Sequence, residues 1–522
     1  METGARKWII VITVVLCTLL ELIDTSIVNV ALTQMMGNLS ATLSEVSWVI
    51  AAYAIANVIV VPMTGFLSEQ FGRRNYFGFS VVLFTLASIM CGQATNIWEL
   101  VAFRFIQGIG GGALMATSQA ILIDTFPPKQ LPLGQALFGM GVIIGPTIGP
   151  TLGGYIVDNY DWPWIFYVNV PVGILATICT FSFIVDPERF KNLVPRSVRE
   201  FDWAGIILLI AGVGSLQLVL EKGETEDWFE SAFINIFSAV SVVGIVGFIW
   251  RELTAKNPIV DLRVLTRSRN LAVGAFLSFV LGFGLFASVF VFPIFTQRIL
   301  GFTAAQTGLM LLPGALLSGF MMPVLGRALQ AGVPQKYILP FGFAIFFAFT
   351  FWMSQRISPT AGEGDFFWPL MVRGLALGLV FLPITTMSLA GLQGKDAGQA
   401  AGLTSMIRQL GGSFGVAIVG TYIERSNAFN RLALLPNISA YDSETMQRIQ
   451  AFTQNFLAKG YTLAQAQQQA YAGLEGVMLK QTSLITYAQT FTMLGLFFLA
   501  CLPLILLIKK VKQVGKVELA AH

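Results

Sequence analysis

The sequence is poor in the residues that most enzymes and metalloproteins depend on. Its one histidine is the last residue, His522, which nearly excludes histidine proton chemistry and a histidine-ligated metal centre. The four cysteines lie inside apolar runs without ligand-like spacing, so we predict packing roles, no disulfide framework and no metal site for Cys17, Cys91, Cys179 and Cys501. A membrane-embedded enzyme would need a nucleophile or a metal cluster, and this composition supplies neither. No Walker-type phosphate loop occurs, which disfavours an ATP-driven pump.

Charge is scarce as well. Charged residues make up 11% of the 522 residues, against about 25% in ordinary soluble domains. Hydrophobic residues make up 55%, and uncharged runs of about 20 residues, the length of a membrane-spanning helix, recur along the chain. These runs argue against the alternative of a large soluble core. We therefore predict an all-α integral membrane protein that lies in a lipid bilayer.

Fourteen apolar runs are long enough to be membrane-spanning helices. Their limits are 8–30, 46–67, 76–93, 98–124, 133–157, 164–185, 203–220, 232–250, 270–294, 307–329, 338–354, 366–390, 401–423 and 483–508. The first run contains two acids and is followed by no small-residue cleavage site, so we predict a span there and not a cleaved signal peptide.

The distribution of lysine and arginine predicts the orientation. With the N-terminus in the cytoplasm, nearly all basic residues of the short loops lie on the cytoplasmic side, as expected for membrane proteins. The opposite short loops hold only Lys222, Arg298 and Arg356. Both termini are therefore predicted to be cytoplasmic, and the net charge of +4 reflects this topology and not nucleic-acid binding.

Two similar segments indicate a duplication. Arg104-Phe105-Ile106-Gln107-Gly108 in the fourth run has a weaker repeat at Arg373-Gly374-Leu375-Ala376-Leu377-Gly378 in the twelfth. We predict a six-helix bundle over 1–185, a linker with two inserted spans over 186–269, and a second six-helix bundle over 270–522. Transporters built from such repeats bind their substrate near the midplane, between halves that rock.

One loop, 424–482, is long, polar and rich in glutamine. Apolar residues recur in it at helical spacing, Gly460 is placed to end a first helix, and Thr462 is placed to cap a second. We predict a helical hairpin outside the membrane. Two roles remain open: a lid on the protein's own outer face, or a docking surface for a partner.

Five charged residues lie inside the apolar runs: Glu21, Asp24, Arg104, Arg373 and Arg408. A charge in hydrocarbon costs about 3 kcal/mol on insertion scales, so such residues usually face a water-filled cavity or one another and mark a transport pathway. We predict that Asp24 is the main proton carrier, that Arg104 is its partner and that Glu21 is an auxiliary acid. The alternative is a static buried ion pair.

The remaining two arginines receive weaker predictions. Arg373 is expected either to bond backbone groups or to attract an anionic substrate. Arg408 lies near the cytoplasmic start of its run and is expected to extend its charge to the membrane interface.

The loop between the second and third runs combines glycines with charges. Gly65 and Gly72 permit a tight turn and a close helix approach. Glu69, Arg73 and Arg74 are placed to pair with one another or with nearby helix ends. We predict a latch that holds the cytoplasmic side shut, and the alternative is a basic loop that only sets topology.

The fifth run carries small residues and prolines at spacings that permit close helix packing and a bend. These residues are Gly141, Gly145, Pro146, Gly149, Pro150, Gly153 and Gly154. With the charged loop and the buried-arginine segment, this run resembles the motifs of the major facilitator superfamily, in which the fifth-span motif is associated with antiporters. The segments Leu22-Ile23-Asp24-Thr25-Ser26 and Trp162-Pro163-Trp164-Ile165-Phe166-Tyr167-Val168-Asn169 are similar to those of the fourteen-span drug:proton antiporters of the EmrB/QacA type, and the long outer loop resembles the EmrB branch.

This resemblance implies the major facilitator fold and export of small amphipathic drugs, driven by the proton gradient without a cofactor. It also implies a cell inner membrane, a periplasmic adaptor (a membrane fusion protein) and an outer-membrane channel. Two other functions stay open. One is the same machine with a narrow natural substrate, such as a fatty acid or a siderophore. The other is a channel, which the many glycine motifs disfavour.

The substrate cavity is the least specified part. Polar or aromatic groups inside the runs are candidates for its lining, although each is also explained by packing: Asn29, Tyr53, Asn57, Gln119, Gln217, Phe292, Gln297, Arg373 and Met387. Aromatic and methionine-rich pockets suit varied apolar ligands because they can repack.

Overall fold

A computed structural model of the chain describes residues 4–187, 201–392, 394–439 and 441–507. These residues form helices and no strands, as the all-α prediction requires. His522 and residues 188–200 of the predicted linker lie outside the described residues.

The first six long helices form one bundle and follow the predicted spans. They are α1 Gly4–Asn38, α2 Leu43–Phe71, α3 Arg73–Gly92, α4 Ile97–Thr125, α5 Leu131–Asn159 and α6 Trp164–Phe183. Thr42 begins α2 with a capping box, because its side chain accepts from the backbone of Glu45 while the Glu45 carboxylate accepts from the Thr42 backbone. α1 packs against α4, α5 and α6, so it lies inside this bundle.

Two inserted helices follow, α7 Trp203–Lys222 and α8 Ala232–Thr254. α7 contains a π-turn at Ile210–Gly214, and there Gly212 lies against the backbone of Gly244 in α8. Only 22% of the most apolar window of α8 is buried. A helix that is apolar all round and yet exposed is suited to face lipid.

A short helix, Arg263–Arg267, leads into the second bundle. The long helices of this bundle are α9 Arg269–Arg298, α10 Ala304–Gln330, α11 Gln335–Arg356, α12 Glu363–Ser388, α13 Gly394–Leu434, α14 Ser443–Ala458 and α15 Leu463–Cys501. A 3₁₀ segment, Leu502–Leu507, continues α15. α12 is the most enclosed candidate span, with 83% of its apolar window buried.

Thirteen of the described helices are long and apolar enough to cross a membrane, one fewer than predicted. The predicted span 401–423 lies in α13, which is not among them. Its buried residues include several polar ones, among them Gln399, Thr404 and Ser405, and these lower its hydropathy. α13 nevertheless packs along α9 and against α2, so we interpret it as the fourteenth span.

The predicted hairpin outside the spans is present, with one difference. Gly460 adopts a positive φ of 89° after α14, and Thr462 begins α15 with a capping box. However, α15 runs without a break from Leu463 to Cys501, so the second hairpin helix and the last span are one helix. The sequence pattern suggested a break because polar residues give way to apolar ones there.

The two bundles meet along two helix pairs. Gly308 and Gly326 of α10 lie against Thr151 and Pro132 at opposite ends of α5, so these two helices touch along most of their length. Gly402 of α13 lies against Val61 of α2. We call the end of the molecule with the α2–α3 loop the basic face, and the end with α14 the hairpin face.

A glycine inside the second bundle provides a test of this packing. A Cβ at Gly282 of α9 would overlap the carbonyl oxygen of Arg408 in α13, whereas one at Gly476 of α15 would meet nothing within 4 Å. Overpacking a core typically costs about 1–3 kcal/mol. We expect Gly282→Ala to lower the thermal unfolding midpoint of the purified protein and Gly476→Ala to leave it unchanged or raised. Equal midpoints for the two variants would contradict the close approach of α9 and α13.

Candidate functional site

The predicted acid–arginine pair is in direct contact. Nη1 of Arg104 in α4 lies 2.5 Å from Oδ2 of Asp24 in α1, and the two side chains are 1% and 0% exposed. A charge pair buried this completely is stable only if its remaining lone pairs and protons are also satisfied.

The other oxygen of Asp24 meets that requirement. Oδ1 accepts hydrogen bonds from Nε2 of Gln107 at 2.9 Å and from Nδ2 of Asn169 at 2.8 Å. Asn169 also donates to the hydroxyl of Ser88 at 3.1 Å. The surroundings of Asp24 are therefore built from hydrogen-bond donors, which is what a buried negative charge needs.

Arg104 is held by further contacts. Its Nη1 donates to Oε1 of Gln107 at 2.8 Å, and its Nε donates to the carbonyl of Val49 at 3.3 Å. The guanidinium carbon lies 4.2 Å from the ring centroid of Tyr53, a cation–π contact. All these partners belong to the first bundle, so the pair lies within one half of the molecule.

The second acid lies one helical turn from Asp24, toward the basic face. Oε1 of Glu21 accepts from Nδ2 of Asn57 at 3.0 Å. Among the described residues, Oε2 of Glu21, the hydroxyl of Tyr53 and Oδ1 of Asn57 have no hydrogen-bond partner, and all are buried. The structure thus gives each of three neighbouring predicted residues a buried polar atom without a described hydrogen-bond partner.

The prediction for Arg408 is wrong. The side chain does not reach an interface but is 2% exposed inside the protein. Its Nη2 contacts Sδ of Met115 at 3.2 Å and the hydroxyl of Ser405 at 3.3 Å, and its guanidinium lies 5.4 Å from the ring centroid of Phe381. The apolar pattern of the sequence indicated its position along the span but not the direction in which it points.

The other cavity candidates are spread over several environments. Nε2 of Gln119 donates to Oε1 of Gln135 at 3.0 Å, close to Ser405. Nε of Arg373 donates to the hydroxyl of Ser288 at 3.0 Å.

Further candidates lie away from Gln119, Gln135 and Ser405. Phe292 and Met387 belong to the apolar core, Gln217 of α7 donates to Ser413 at 2.8 Å, and Asn29 is exposed. Gln297 is half-buried near the end of α9. The structure therefore brings Gln119 close to Arg408 through Ser405, and Tyr53 close to Asn57 and so to Glu21, but it does not bring the full set together.

The charged loop anchors the basic face. Gly72 has a φ of 80°, which favours glycine and allows α3 to begin directly after α2. Arg73 pairs with Asp124 at the end of α4, and Arg74 contacts the carbonyl of Phe181 at the end of α6. Both arginines thus bind nearby helix ends, one of the two predicted alternatives.

The loop also lies at the boundary of the second bundle. A Cβ at Gly65 would lie 3.2 Å from the side chain of Gln399 in α13. Glu69 has contacts within the described part of the chain. The α2–α3 segment is therefore in place to respond to a movement of α13.

The small-residue run of α5 lies against both bundles. Gly145 and Gly149 contact Leu22 and Ser26, which flank Asp24 in α1. Gly154 contacts the start of α10, in the second bundle. Pro146 and Pro150 lie inside α5, between these contacts, so the run links the surroundings of Asp24 to the second half.

Several residues of the cluster were not predicted as site residues. Gln107 follows Arg104 by one helical turn, and Asn169 stands in the aromatic segment that begins at Trp162, so both had a local signal. Gln135 and Ser405 had none, because each becomes notable only through a partner on another helix.

Comparisons with known proteins agree with this geometry. Residues 14–416 match the family model described as Major Facilitator Superfamily. The chain is 33% identical to the multidrug export protein EmrB of Escherichia coli (strain K12) over 505 residues, 96% of this chain and 95% of the relative. It is 32% identical to the fatty acid resistance protein FarB of Neisseria gonorrhoeae over 510 residues, 98% and 97% of the two chains.

A solved structure shows the same fold. The proton:xylose symporter XylE superimposes with a TM-score of 0.60 at 14% identity, covering 96% of this chain and 97% of the symporter. A family match over most of the chain, relatives above 30% identity along nearly its full length, and this shared fold lead to one conclusion. The chain belongs to the major facilitator superfamily.

Proposed function

We propose that the protein is a proton-coupled multidrug efflux antiporter. It exports small amphipathic compounds by alternating access, and the proton gradient drives it without a bound cofactor. The observation that carries this proposal is the enclosed contact between Asp24 and Arg104. A buried ionisable group in a membrane span, held by a partner that it can release, is the element that proton coupling needs.

The proposed coupling step follows from the contacts of Asp24. When Asp24 takes up a proton, the charge that holds Arg104 is lost, and Gln107 and Asn169 no longer face an anion. Breaking a buried ion pair by removing one charge is worth about 3–5 kcal/mol. That free energy is large enough to shift a two-state equilibrium between conformations by more than a hundredfold.

The substrate class is supported by the relatives. EmrB of Escherichia coli is named a multidrug export protein, and it matches this chain over nearly its full length. The name of FarB, a fatty acid resistance protein, favours the alternative of a narrow natural substrate. Export assays with cationic, neutral and anionic amphipathic compounds distinguish the two, because only a multidrug exporter moves all three classes.

The location is also proposed. The basic face would be cytoplasmic and the hairpin face periplasmic, in a cell inner membrane, with both termini inside. Labelling single introduced cysteines at Asn38 and Lys129 with a reagent that does not cross membranes tests this orientation. Only the cysteine at Asn38 should react from outside, and labelling at Lys129 instead would contradict the orientation.

The role of Asp24 is tested in reconstituted vesicles that contain a pH-sensitive dye. We expect Asp24→Asn to abolish drug-driven proton movement, because asparagine keeps the shape of the side chain but cannot exchange a proton. The matched control is Asp158→Asn, an acid that is exposed at the end of α5 and should behave as the native protein. Native coupling in Asp24→Asn would remove this residue from the mechanism.

The geometry of Arg104 yields a second expectation. Arg104→Lys keeps the charge, but all three donors of a lysine lie on one nitrogen, whereas Arg104 contacts Asp24 and Gln107 from Nη1 and the Val49 carbonyl from Nε. We expect at least about a tenfold loss of drug export, equivalent to about 1.4 kcal/mol. Arg356→Lys, a change at a half-exposed arginine 3.9 Å from Asp365, should have no effect. Similar rates for the two variants would argue against a role for the guanidinium geometry.

We further propose that the hairpin docks a periplasmic adaptor that leads to an outer-membrane channel. α14 packs on the extension of α15, and Arg431 of α13 bonds Glu475 of α15 at 2.7 Å. The parts of α13 and α15 that extend beyond the predicted spans thus hold α14, and the three helices project together from the hairpin face. Large apolar side chains of the hairpin are exposed, among them Tyr441, Leu463 and Tyr471. Exposed apolar patches commonly mark interaction sites.

Adaptor binding is tested by co-purification with a co-expressed periplasmic membrane fusion protein. We expect the pair of changes Leu463→Glu and Tyr471→Glu to reduce recovery of the adaptor, because each places a charge in an apolar contact. Gln468→Glu, on the same exposed stretch of α15, adds a charge without removing an apolar group and is the control. Full recovery with the double variant would favour the role of a lid.

A further inference from the structure

The Asp24–Arg104 pair cannot reach the second bundle by itself. Its described partners lie on α1, α2, α4 and α6, all in the first bundle. Alternating access moves one half against the other, so a change at Asp24 must be passed to the second half through other groups. The second bundle places a buried charge, Arg408, against Met115 of α4 in the first bundle.

Arg408 lacks an adequate partner of its own. Its described contacts are a methionine sulfur, one hydroxyl and an aromatic face, and its Nη1 is buried without a hydrogen-bond partner. A buried guanidinium without a counter-charge is strongly destabilising. Met115, which Arg408 contacts, follows Gly111 by one turn of α4, and Gly111 lies beside Asn57, the residue that donates to the carboxylate of Glu21 in α1.

Glu21 likewise has a buried polar atom without a hydrogen-bond partner. One of its oxygens is bound by Asn57, and the other is buried without a partner. The two side chains form no direct ion pair within the described residues, so a gap that no described hydrogen bond bridges separates them. In a protein interior with an effective dielectric constant of about 20, a separation of several ångströms still leaves a substantial attraction.

A continuous set of contacts connects this gap to Asp24. The ring centroid of Tyr53 lies 4.2 Å from the guanidinium carbon of Arg104, and its hydroxyl and the Nδ2 of Asn57 both lie beside Gly111. Asn57, one turn along α2 from Tyr53, donates to Glu21. The two acids therefore lie on the same face of α1, and both are connected to α2. Glu21 is connected through Asn57, and Asp24 through Arg104 and Tyr53.

We propose that Glu21 and Arg408 form a second charge pair, across the interface of the two bundles, through which the proton site in the first bundle controls the position of α13. This inference rests on the proposed proton-coupled function. With Glu21 ionised, α1 attracts α13 and favours the arrangement in which the bundles are close at this level. With Glu21 protonated, that attraction ends and Arg408 is free to move with the second bundle.

The other groups that face Glu21 do not replace Arg408. Asp24 on α1 repels it, Tyr53 on α2 is neutral, and Arg104 on α4 is bound to Asp24. α5 carries one charged residue, Asp158, which is exposed at its far end, and α6 carries none. Arg408 is therefore the one cation in the described chain that acts on Glu21 from the second bundle.

A double-mutant cycle on the full-length protein in vesicles tests the pair. Glu21→Gln and Arg408→Gln should each slow drug-driven proton exchange by about tenfold or more, because each leaves the other charge unbalanced. In the combined variant the second change should cost several-fold less than it does alone, as expected for interacting residues. Multiplicative effects in the combined variant would overturn the proposal.

The matched control is Arg373→Gln. Arg373 is another fully buried arginine of the second bundle, but its described partner is Ser288. The fold-change that Arg373→Gln causes should be the same in the native background and in the Glu21→Gln background. Arg408→Lys, which keeps the charge, should keep most of the native rate. If Arg408→Gln does not fold, Arg408→Met takes its place in the cycle.

A conformational measurement separates this inference from the proposed function. Spin labels at Asn38 and Thr360, on the hairpin face of the first and second bundles, report the distance between them as pH is changed. The native protein and Arg373→Gln should show a pH-dependent shift that Glu21→Gln and Arg408→Gln lack. If Asp24→Asn abolishes coupling while these two variants keep the native shift, the proposed function stands and the interface pair is excluded. If Asp24→Asn keeps coupling, Asp24 is not the proton carrier, and if the native protein shows no drug-driven proton movement, the proposed function itself fails.

Discussion

The organisation of the first bundle depends on the burial of one ion pair. Asp24 and Arg104 are enclosed in an apolar interior, where an unpaired charge would cost several kcal/mol. Four helices supply the groups that make this burial possible: α1 the acid, α4 the arginine and Gln107, α2 a carbonyl and an aromatic face, and α6 Asn169. Because each of the four helices contacts this pair, a change in the charge of Asp24 alters contacts of all four.

The glycines determine how closely the helices around this pair can approach. In α5, glycines lie against Leu22 and Ser26 of α1 on one side and against the start of α10 on the other. Side chains at these positions would separate the helices and open the surroundings of the Asp24–Arg104 pair. Glycines of α10 play the same part at the interface of the bundles, where Gly308 and Gly326 lie directly against Thr151 and Pro132 of α5.

The helical class, nearly all spans, the hairpin and the members of the central pair could be predicted from the sequence. Periodicity and the rarity of charge are local properties, and Asp24 and Arg104 were predicted to pair because both are charges inside spans and both lie in segments that resemble family motifs. The direction in which a side chain points depends on packing. The prediction for Arg408 was wrong because the sequence at the end of a span is the same whether its arginine points outward or inward. Gln135 and Ser405 could not be predicted, because their importance comes from partners on distant helices.

The central claim is that Asp24 changes its proton occupancy when substrate binds. Infrared difference spectroscopy of the purified protein, recorded as an amphipathic drug is added at constant pH, measures this most directly. The account predicts a change in a protonated-carboxyl band that is present in the native protein and missing in Asp24→Asn. A difference spectrum with the same carboxyl band in both proteins would contradict it.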